Sequence, residues 1–309
     1  GNVNFLTTNS NYPNREHYFN NFSDEDKALI YGIVGGTPQY LLQMNDELSV
    51  EDNIKNTYLN PISALFEEPE NLLKQEVREP ALYNAIITAV ATGASRMSEI
   101  SSKVGEDTNI CSAYVKNLVS LGIIQKETPY GEKTSRKSVY SIEDNMFRFW
   151  YRFIPENNSI IARGAADLAY KRIEPFMSDY MGKVFEDICK QYLWKLLLTG
   201  KCPVEFSSLG RWWGNDPVEK SQAEIDIIAE QDKNAALFGE CKWTNEKVDL
   251  GVLETLVKRS ELFSYKKMHY YLFAKSGFTK GCIDKANEMG NVTLVSFKDI
   301  VSRGKSTID

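Results

Sequence analysis

The sequence has few residues of the kinds that bind soft metals. Its 309 residues include only two histidines, His17 and His269, and five scattered cysteines without a Cys-x-x-Cys pair. A zinc or iron site built from histidine and cysteine is therefore not expected, and a reducing cytosol is the simplest home for such thiols. A metal ion would instead be held by carboxylate oxygens, which favours Mg²⁺ or Mn²⁺.

The sequence also lacks three features that mark other classes of protein. It has no run of about 18 apolar residues and no basic-then-apolar leader, so no membrane span is predicted and a cytoplasmic location is expected. It has no Gly-x-x-x-x-Gly-Lys-[Ser/Thr] motif, so ATP binding is not predicted for this chain itself. Its net charge of −6 argues against a uniformly basic nucleic-acid binder but leaves local basic patches open.

The composition suits two or more globular domains, since 42% of the residues are hydrophobic and 25% are charged. The first segment, 1–75, has a helical pattern. Ser23, followed by three acidic residues, is a helix N-cap signal, and Thr37 with Pro38 starts another helix. A small helical bundle without a catalytic constellation is predicted there.

The second segment, 76–143, has the spacing of a winged helix-turn-helix. The periodicity predicts helices over 80–92, 96–104 and 109–121, then β-like runs over 123–127 and 138–142. Ile110 is predicted to face inward, and the last helix can lie in a DNA major groove. The predicted DNA contacts on this helix and the wing are Ser112, Lys116, Asn117, Lys133, Arg136 and Lys137. Winged helices also serve as protein-binding modules, so that alternative stays open.

The third segment, 144–309, has a mixed α/β pattern. It begins with the aromatic run Phe-Arg-Phe-Trp-Tyr-Arg-Phe at 147–153, interpreted as core rather than as a base-stacking strip. The predicted strands cover 202–209, 223–230, 235–243, 269–274 and 292–296, with a loop over 211–220. The pair Trp212 and Trp213 in that loop is expected to pack in the core rather than to stack on bases.

Two neighbouring strands carry the charges that point to chemistry. Asp226 lies in an apolar run, and the next run ends in Glu240-Cys241-Lys242. Because side chains of a strand alternate between faces, Glu240 and Lys242 point the same way, and pairing of the two strands would set Asp226 beside Glu240. Glu186, on a predicted helix flanked by small and apolar residues, can reach the same site. The alternative is a β-hairpin with ordinary surface salt bridges.

This arrangement predicts a divalent-metal site that cuts phosphodiesters. Asp226, Glu240 and Glu186 would ligate Mg²⁺ or Mn²⁺, with the main-chain carbonyl of Cys241 as a further ligand. Lys242 would stabilise developing charge or, with a depressed pKa, help to remove a proton from water. Glu224 is a spare candidate ligand, whose alternative is a surface residue at a strand end.

The same residues carry a resemblance. Glu186, Asp226 and Glu240-Cys241-Lys242 resemble the PD-(D/E)xK restriction-endonuclease-like superfamily, and Gly-Glu-Cys-Lys-Trp at 239–243 is similar to its archaeal Holliday-junction-resolvase-like members. Ile225 stands where the superfamily has proline, which leaves the predicted ligand intact. The resemblance implies a mixed sheet flanked by helices, and hence a multidomain α+β or α/β chain.

A second resemblance covers about 20–300. Tyr-Gly-Ile-Val-Gly-Gly-Thr-Pro-Gln-Tyr-Leu at 31–41, Glu-Pro-x-x-Tyr at 79–83 and the aromatic run at 147–153 are similar to archaeal-type AAA (P-loop) ATPases that end in a winged helix and a nuclease-like domain of unknown function 234. It implies that this chain is the C-terminal part of a longer protein, with ATP bound only in the full-length parent. The implied partners are DNA and the N-terminal ATPase domain, and an oligomer is possible.

Three hypotheses for function follow. In the first, the winged helix binds DNA and the last segment is a metal-dependent DNA nuclease acting with the parent ATPase. In the second, the nuclease fold is inactive and serves as a DNA- or protein-binding module that regulates the parent. In the third, the chain is an interaction module that docks on the ATPase core.

Overall fold

The structure, a computed structural model, describes residues 19–132, 137–217 and 219–305. The predicted wing residues Lys133 and Arg136 lie outside the described residues. The chain forms two compact units, which separate between Met177 and Ser178, with the short segment 128–132 belonging to the second unit. None of the described helices is long and apolar enough to cross a membrane.

The first unit is mainly helical. Its elements are α1 (Asp24–Val34), α2 (Pro38–Leu41), α3 (Val50–Thr57), α4 (Ala64–Glu76), α5 (Pro80–Ala91), α6 (Met97–Val104), α7 (Thr108–Ser120), β1 (Ile124–Glu127), β2 (Val139–Ile142), α8 (Asn145–Ile161) and α9 (Ala166–Ile173). The predicted cap at Ser23 is confirmed, because its side chain and that of Asp26 form a capping box. Pro80 is the first residue of α5, where a missing N–H is harmless.

Helix α8 forms the core of the first unit. It carries the aromatic run, in which Phe149, Trp150, Tyr151 and Phe153 are all buried, so the interpretation of this run as core is confirmed. Arg148 is also buried, and its guanidinium donates to the carbonyl of Ile142 instead of reaching solvent. Because α8 packs on α1, α4 and α5, the compact units divide after Met177, not after residue 143, where the second segment was predicted to end.

Helices α5 to α7 and the β1–β2 hairpin have the predicted layout of three helices and a hairpin. β1 and β2 are antiparallel, with Ile124 opposite Ile142. Tyr140 of β2 donates its amide to Ser95 at 2.7 Å, which ties the hairpin to the turn before α6. The prediction that Ile110 faces inward is wrong, because its side chain is 44% exposed at the N-terminal end of α7.

The second unit is built on a five-stranded sheet in the order β3-β4-β5-β6-β7. Its elements are α10 (Met177–Leu198), β3 (Gly210–Asp216), β4 (Ser221–Gln231), β5 (Ala235–Lys242), α11 (Leu250–Ser260), β6 (Lys267–Ala274), α12 (Lys280–Met289), β7 (Val292–Ser296) and α13 (Phe297–Lys305). The pairs β3–β4 and β4–β5 are antiparallel, whereas β5–β6 and β6–β7 are parallel and are connected through α11 and α12. The fold is therefore of mixed α and β type, as predicted.

The first strand of this sheet lies where a loop was predicted. Residues 202–209 form no strand, and β3 begins at Gly210 instead. This strand contains two glycines, and both face aromatic rings. A Cβ at Gly210 would lie 2.7 Å from the Tyr130 ring, and one at Gly214 would lie 2.8 Å from the Trp212 ring. Trp212 packs edge-on against Phe263, as its assignment to the core predicted.

Strand β4 contains a bulge beside the predicted site. Gly210 pairs with Ile228 and Trp212 pairs with Ile225, so two steps along β3 match three along β4. The extra residue lies between Ile225 and Ile228 and allows both to join the core cluster formed with α11 and α12. Bulges re-aim side chains and are frequent near active sites. Asp226 lies in this bulge.

Candidate functional site

The predicted pairing of the two charged strands is confirmed. Ile227 of β4 lies opposite Gly239 of β5, so Asp226 and Glu240 are the next residues at the end of the ladder. The amide of Cys241 donates to Asp226 Oδ2 at 2.9 Å. At this point the aspartate side chain acts as the acceptor that a continuing strand would have supplied. This bond holds the Asp226 carboxylate against the end of β5.

A close approach between the strands precedes the site. A Cβ at Gly239 would lie 3.0 Å from the Cβ of Ile227 on the facing strand. That separation is tighter than ordinary van der Waals contact, so a larger residue at this position would push β4 and β5 apart. The absence of a side chain at Gly239 therefore sets the spacing of the two strands where Asp226 and Glu240 meet.

Glu240 and Lys242 form an ion pair at the end of β5. Lys242 Nζ lies 2.6 Å from Glu240 Oε1, and the Glu240 side chain is 9% exposed. The other oxygen, Oε2, is buried and has no hydrogen-bond partner among the described residues. An unsatisfied buried carboxylate oxygen is costly in free energy, so this atom is open to a further cation or donor.

The pKa of Asp226 is strongly raised. Burial, followed by the nearby carboxylates of Glu240 and Glu186, raises the pKa of Asp226 to about 7. The Cys241 amide and Lys242 act in the opposite direction but do not cancel the shift. Like charges crowded in a buried place are unfavourable unless a cation or a proton neutralises them. A proton or a cation at this place would relieve that repulsion.

Lys242 departs from one of its two predicted roles. Burial lowers its pKa, but the Glu240 carboxylate outweighs burial through its charge and its hydrogen bond, so the pKa is raised overall. The predicted depressed pKa is therefore wrong, and Lys242 remains a charged ammonium near neutral pH. The remaining predicted role is stabilisation of negative charge.

Glu186 comes from α10, far away in sequence. Its carboxylate is close enough to raise the pKa of Asp226, so the structure places it near the strand pair. Its Oε2 accepts from Lys183 Nζ at 2.8 Å, and the side chain is 17% exposed. Sequence reasoning missed Lys183, although the i, i+3 spacing of an opposite charge on one helix is a readable signal.

Two cysteine thiols lie close to the carboxylates of Asp226 and Glu186. Cys189 of α10 and Cys241 of β5 are buried and hydrogen-bonded to each other. Burial raises the pKa of both thiols, that of Cys241 well above its usual value, so they remain protonated. The Cys241 thiol is therefore not a thiolate ligand, and the role of its main-chain carbonyl as a metal ligand stays a prediction.

The contacts of Glu224 do not support a role as a metal ligand. It forms a salt bridge with Arg211, and its side chain is 47% exposed. The Arg211 guanidinium also lies 5.5 Å from the centre of the Trp213 ring. Glu224 is therefore a surface residue, as its alternative held, but it lies within β4 and not at the end of the strand.

The residues of α7 that were predicted to contact DNA include one positively charged side chain, Lys116. Lys116 is exposed and Ser112 is half-buried, while Asn117 donates to the Tyr83 hydroxyl at 2.8 Å. Asn117 also lines a surface cavity of about 400 Å³ with Tyr83 and Tyr114, which was not predicted. Lys137, exposed before β2, is the wing residue that lies within the described part. DNA contact by these residues stays a prediction.

The donor set fits a hard divalent cation bound partly by the protein. Among the described residues, no group of three or more histidine, cysteine, aspartate or glutamate side chains is arranged to hold a metal ion. Mg²⁺, however, commonly binds one or two carboxylates and takes its other oxygens from water and phosphate. The unpaired Oε2 of Glu240 beside the crowded Asp226 carboxylate provides such a pair.

Comparisons with known proteins leave the activity open. Residues 150–253 match the model of DUF234, a family described as archaeal and bacterial proteins of unknown function. The chain is 34% identical over 225 residues to the uncharacterized protein MJECL04 of Methanocaldococcus jannaschii, an alignment that covers 72% of the chain. The chain spans about half, 49%, of the length of that relative.

Solved structures give only faint likenesses. A MarR family regulator of Neisseria meningitidis is 19% identical, with a TM-score of 0.21, over 44% of this chain and 89% of the regulator. An O-methyltransferase from neocarzinostatin biosynthesis is 14% identical, with a TM-score of 0.18, over 70% of this chain and 64% of the enzyme. Scores this low carry no argument about fold or function.

Proposed function

We propose that the second unit is a Mg²⁺- or Mn²⁺-dependent phosphodiesterase of the PD-(D/E)xK type that acts on DNA. The observation that carries this proposal is the meeting of Asp226 and Glu240 on paired strands, with the buried Oε2 of Glu240 unsatisfied and Lys242 beside it. Perturbed carboxylates of this kind cluster at functional sites.

Asp226 and Glu240 would hold the cation. A bound divalent ion supplies a Lewis acid for the phosphate and acidifies water. Asp226, with its pKa near 7, exchanges a proton for the cation at neutral pH. Glu186 adds negative charge at the edge of the site, where it is already paired with Lys183. In this proposal Glu186 supports the site electrostatically or completes the ligand set.

Lys242 would act on the phosphate. An ammonium group has three donors, and Lys242 uses one of them on Glu240 Oε1, so others can reach a phosphoryl oxygen. Because its pKa is raised, it stays positive throughout the reaction. Its role is to offset the negative charge that grows on the phosphate as the bond to the leaving oxygen breaks.

The remaining hypotheses concern the whole protein. The helix-and-hairpin part of the first unit would bind DNA as a winged helix, and the chain would be the C-terminal part of an archaeal-type AAA ATPase. The existence of a relative about twice as long as the aligned region supports a longer parent. In this view ATP binds to the parent alone, and the nuclease-like unit acts with it.

The test is cleavage of end-labelled single-stranded, duplex and branched DNA with Mg²⁺ or Mn²⁺. Wild type is compared with Lys242→Ala and with Glu224→Gln, a matched carboxylate change just outside the site. We expect cutting by wild type and Glu224→Gln and its loss in Lys242→Ala. Mn²⁺ binding by wild type without cutting by any of these proteins would point to the regulatory binding module. Equal cutting by all three would place the activity elsewhere.

A further inference from the structure

A polar cavity lies at the end of the sheet opposite the carboxylate site. It is formed where β4 turns into β5 and where β6 begins. Its volume is about 440 Å³, within the range of small-molecule sites. The polar residues that line it are Gln231, Asp232, Asn234, Lys266, Lys267 and His269. Ala235, opposite Lys267, is the first residue of β5 and precedes Glu240 by five positions, about 17 Å along a strand. The cavity is therefore separate from the carboxylate site.

The two lysines of this cavity, Lys266 and Lys267, have no counter-ion among the described residues. Lys266 and Lys267 are both exposed, and neither pairs with a carboxylate in the part of the chain that the structure describes. Asp232 also lines the cavity, but its Oδ1 accepts from the amide of Asn234 at 2.6 Å and closes the β4–β5 turn. The local balance of charge is positive, although the whole chain is acidic.

Neutral donors complete the lining. Gln231 accepts the Glu205 amide on Oε1 at 3.3 Å, which leaves its Nε2 hydrogens for another partner. His269 is half-buried, and burial together with the charge of Lys267 lowers its pKa, so it is neutral at pH 7 and has one ring N–H to donate. Ammonium, imidazole and amide donors thus converge on one concave surface.

We propose that this cavity binds a phosphorylated small molecule, with Lys266 and Lys267 on the phosphates and His269 and Gln231 as further donors. Lysine is a common phosphate-binding residue, and a multiply charged anion would supply the missing counter-charge. The volume exceeds that of a single phosphate group, so the ligand class is a diphosphate or a nucleotide. This site is independent of the proposed nuclease activity.

The experiment is titration calorimetry of the full chain with inorganic pyrophosphate, AMP and ATP in EDTA. The chelator keeps divalent cations away from Asp226 and Glu240, so the outcome does not depend on the nuclease proposal. The double variant Lys266→Ala/Lys267→Ala is compared with Lys280→Ala/Lys298→Ala, which removes the same charge from two exposed lysines elsewhere in this unit. Asp226→Asn serves as a control for the carboxylate site.

We expect saturable pyrophosphate or ATP binding that weakens about tenfold or more in Lys266→Ala/Lys267→Ala and less than about twofold in the two control proteins. Tighter binding of ATP than of pyrophosphate would identify a nucleotide, and equal binding would identify the phosphate chain alone. Absence of saturable binding by wild type, or an equal loss in both double variants, would overturn the proposal. Displacement of pyrophosphate by a DNA oligonucleotide, with weaker DNA binding by Lys266→Ala/Lys267→Ala, would assign the cavity to nucleic acid and overturn it too.

Discussion

The two ends of strand β5 differ in charge and in burial: buried carboxylates lie at one end and exposed lysines at the other. At the C-terminal end, Glu240 is buried next to Asp226, and the pKa of Asp226 is raised to about 7. At the N-terminal end, Lys266 and Lys267 are exposed at the start of the neighbouring strand and have no partner among the described residues. Burial raises the pKa of Asp226 at the first end, whereas the two lysine side chains at the second end are exposed to solvent.

The largest effect on stability is expected for a core residue that lies between the two ends of β5. Phe238 lies between them, is fully buried and packs against Phe263 and Tyr270. Phe238→Ala should lower the free energy of unfolding by about 3–5 kcal/mol, because it leaves a cavity in the sheet. Urea unfolding measures this loss. Leu198→Ala, at a side chain that is 81% exposed, is the control and should change it by less than about 0.5 kcal/mol. Similar losses in both would mean that Phe238 is not central to this core.

The second prediction concerns Glu240, at the carboxylate end of β5. It separates an effect on the cleavage rate from an effect on stability. Glu240→Gln keeps the shape of the side chain but removes the negative charge that the cation needs. We expect the metal-dependent cleavage rate to fall by about 10²–10³-fold. The melting temperature in EDTA should change little, because the loss of the ion pair with Lys242 is offset by relief of the repulsion between Glu240 and Asp226. Cleavage at the wild-type rate would remove Glu240 from the site.

The carboxylate end should also set a pH dependence. The folded-state pKa of Asp226 is raised from the ordinary 3.8 to about 7, so between these values the folded protein binds more protons than the unfolded chain. Stability of the metal-free protein should therefore fall as pH rises from about 4 to 7, by on the order of 3 kcal/mol from this group. Urea unfolding in EDTA at several pH values tests this, and Asp226→Asn should show a flatter profile. An unchanged profile in the variant would assign the dependence to other groups.

The smallest effect compares ion pairs of similar length but different burial. Lys258 and Glu219 lie 2.7 Å apart with side chains 56% and 49% exposed, whereas Lys242 and Glu240 lie 2.6 Å apart with 38% and 9% exposed. Lys258→Ala should shift the melting temperature by less than about 2 °C, since water and salt screen exposed pairs. Lys242→Ala should lower it more, because Glu240 is left buried without its partner. Equal shifts, measured side by side, would mean that burial does not distinguish the pairs.

The sequence was informative where interactions are local. The short turn around Asp232 and the apolar runs on either side were enough to pair β4 with β5 and so to bring Asp226 next to Glu240. The cap at Ser23 and the aromatic run of α8 were also predicted, because spacing and amphipathicity depend on neighbours along the chain.

It was uninformative where distant residues decide. Strand β3 was mistaken for a loop, and the packing of Gly210 against the ring of Tyr130, eighty positions earlier, is not visible in the local sequence. A lowered pKa of Lys242 was one of its two predicted roles; here the missing information was not distance but balance, because the charge of Glu240, two positions away, outweighs burial and raises this pKa. The extra residue of the β4 bulge and the packing of α8 on α1 likewise depend on tertiary contacts.

The β4–β5 hairpin has a consequence for the order in which the site is assembled. Asp226 and Glu240 are fourteen positions apart, on antiparallel strands joined by a tight turn. Hairpins of this kind form in about 1–10 μs, well before contacts that close long loops. Glu186, forty positions before Asp226, arrives only when α10 docks on the sheet. If Asp226 and Glu240 bind a divalent cation as proposed, the pair is complete before α10 docks, and we expect refolding to be faster with Mn²⁺ than in EDTA.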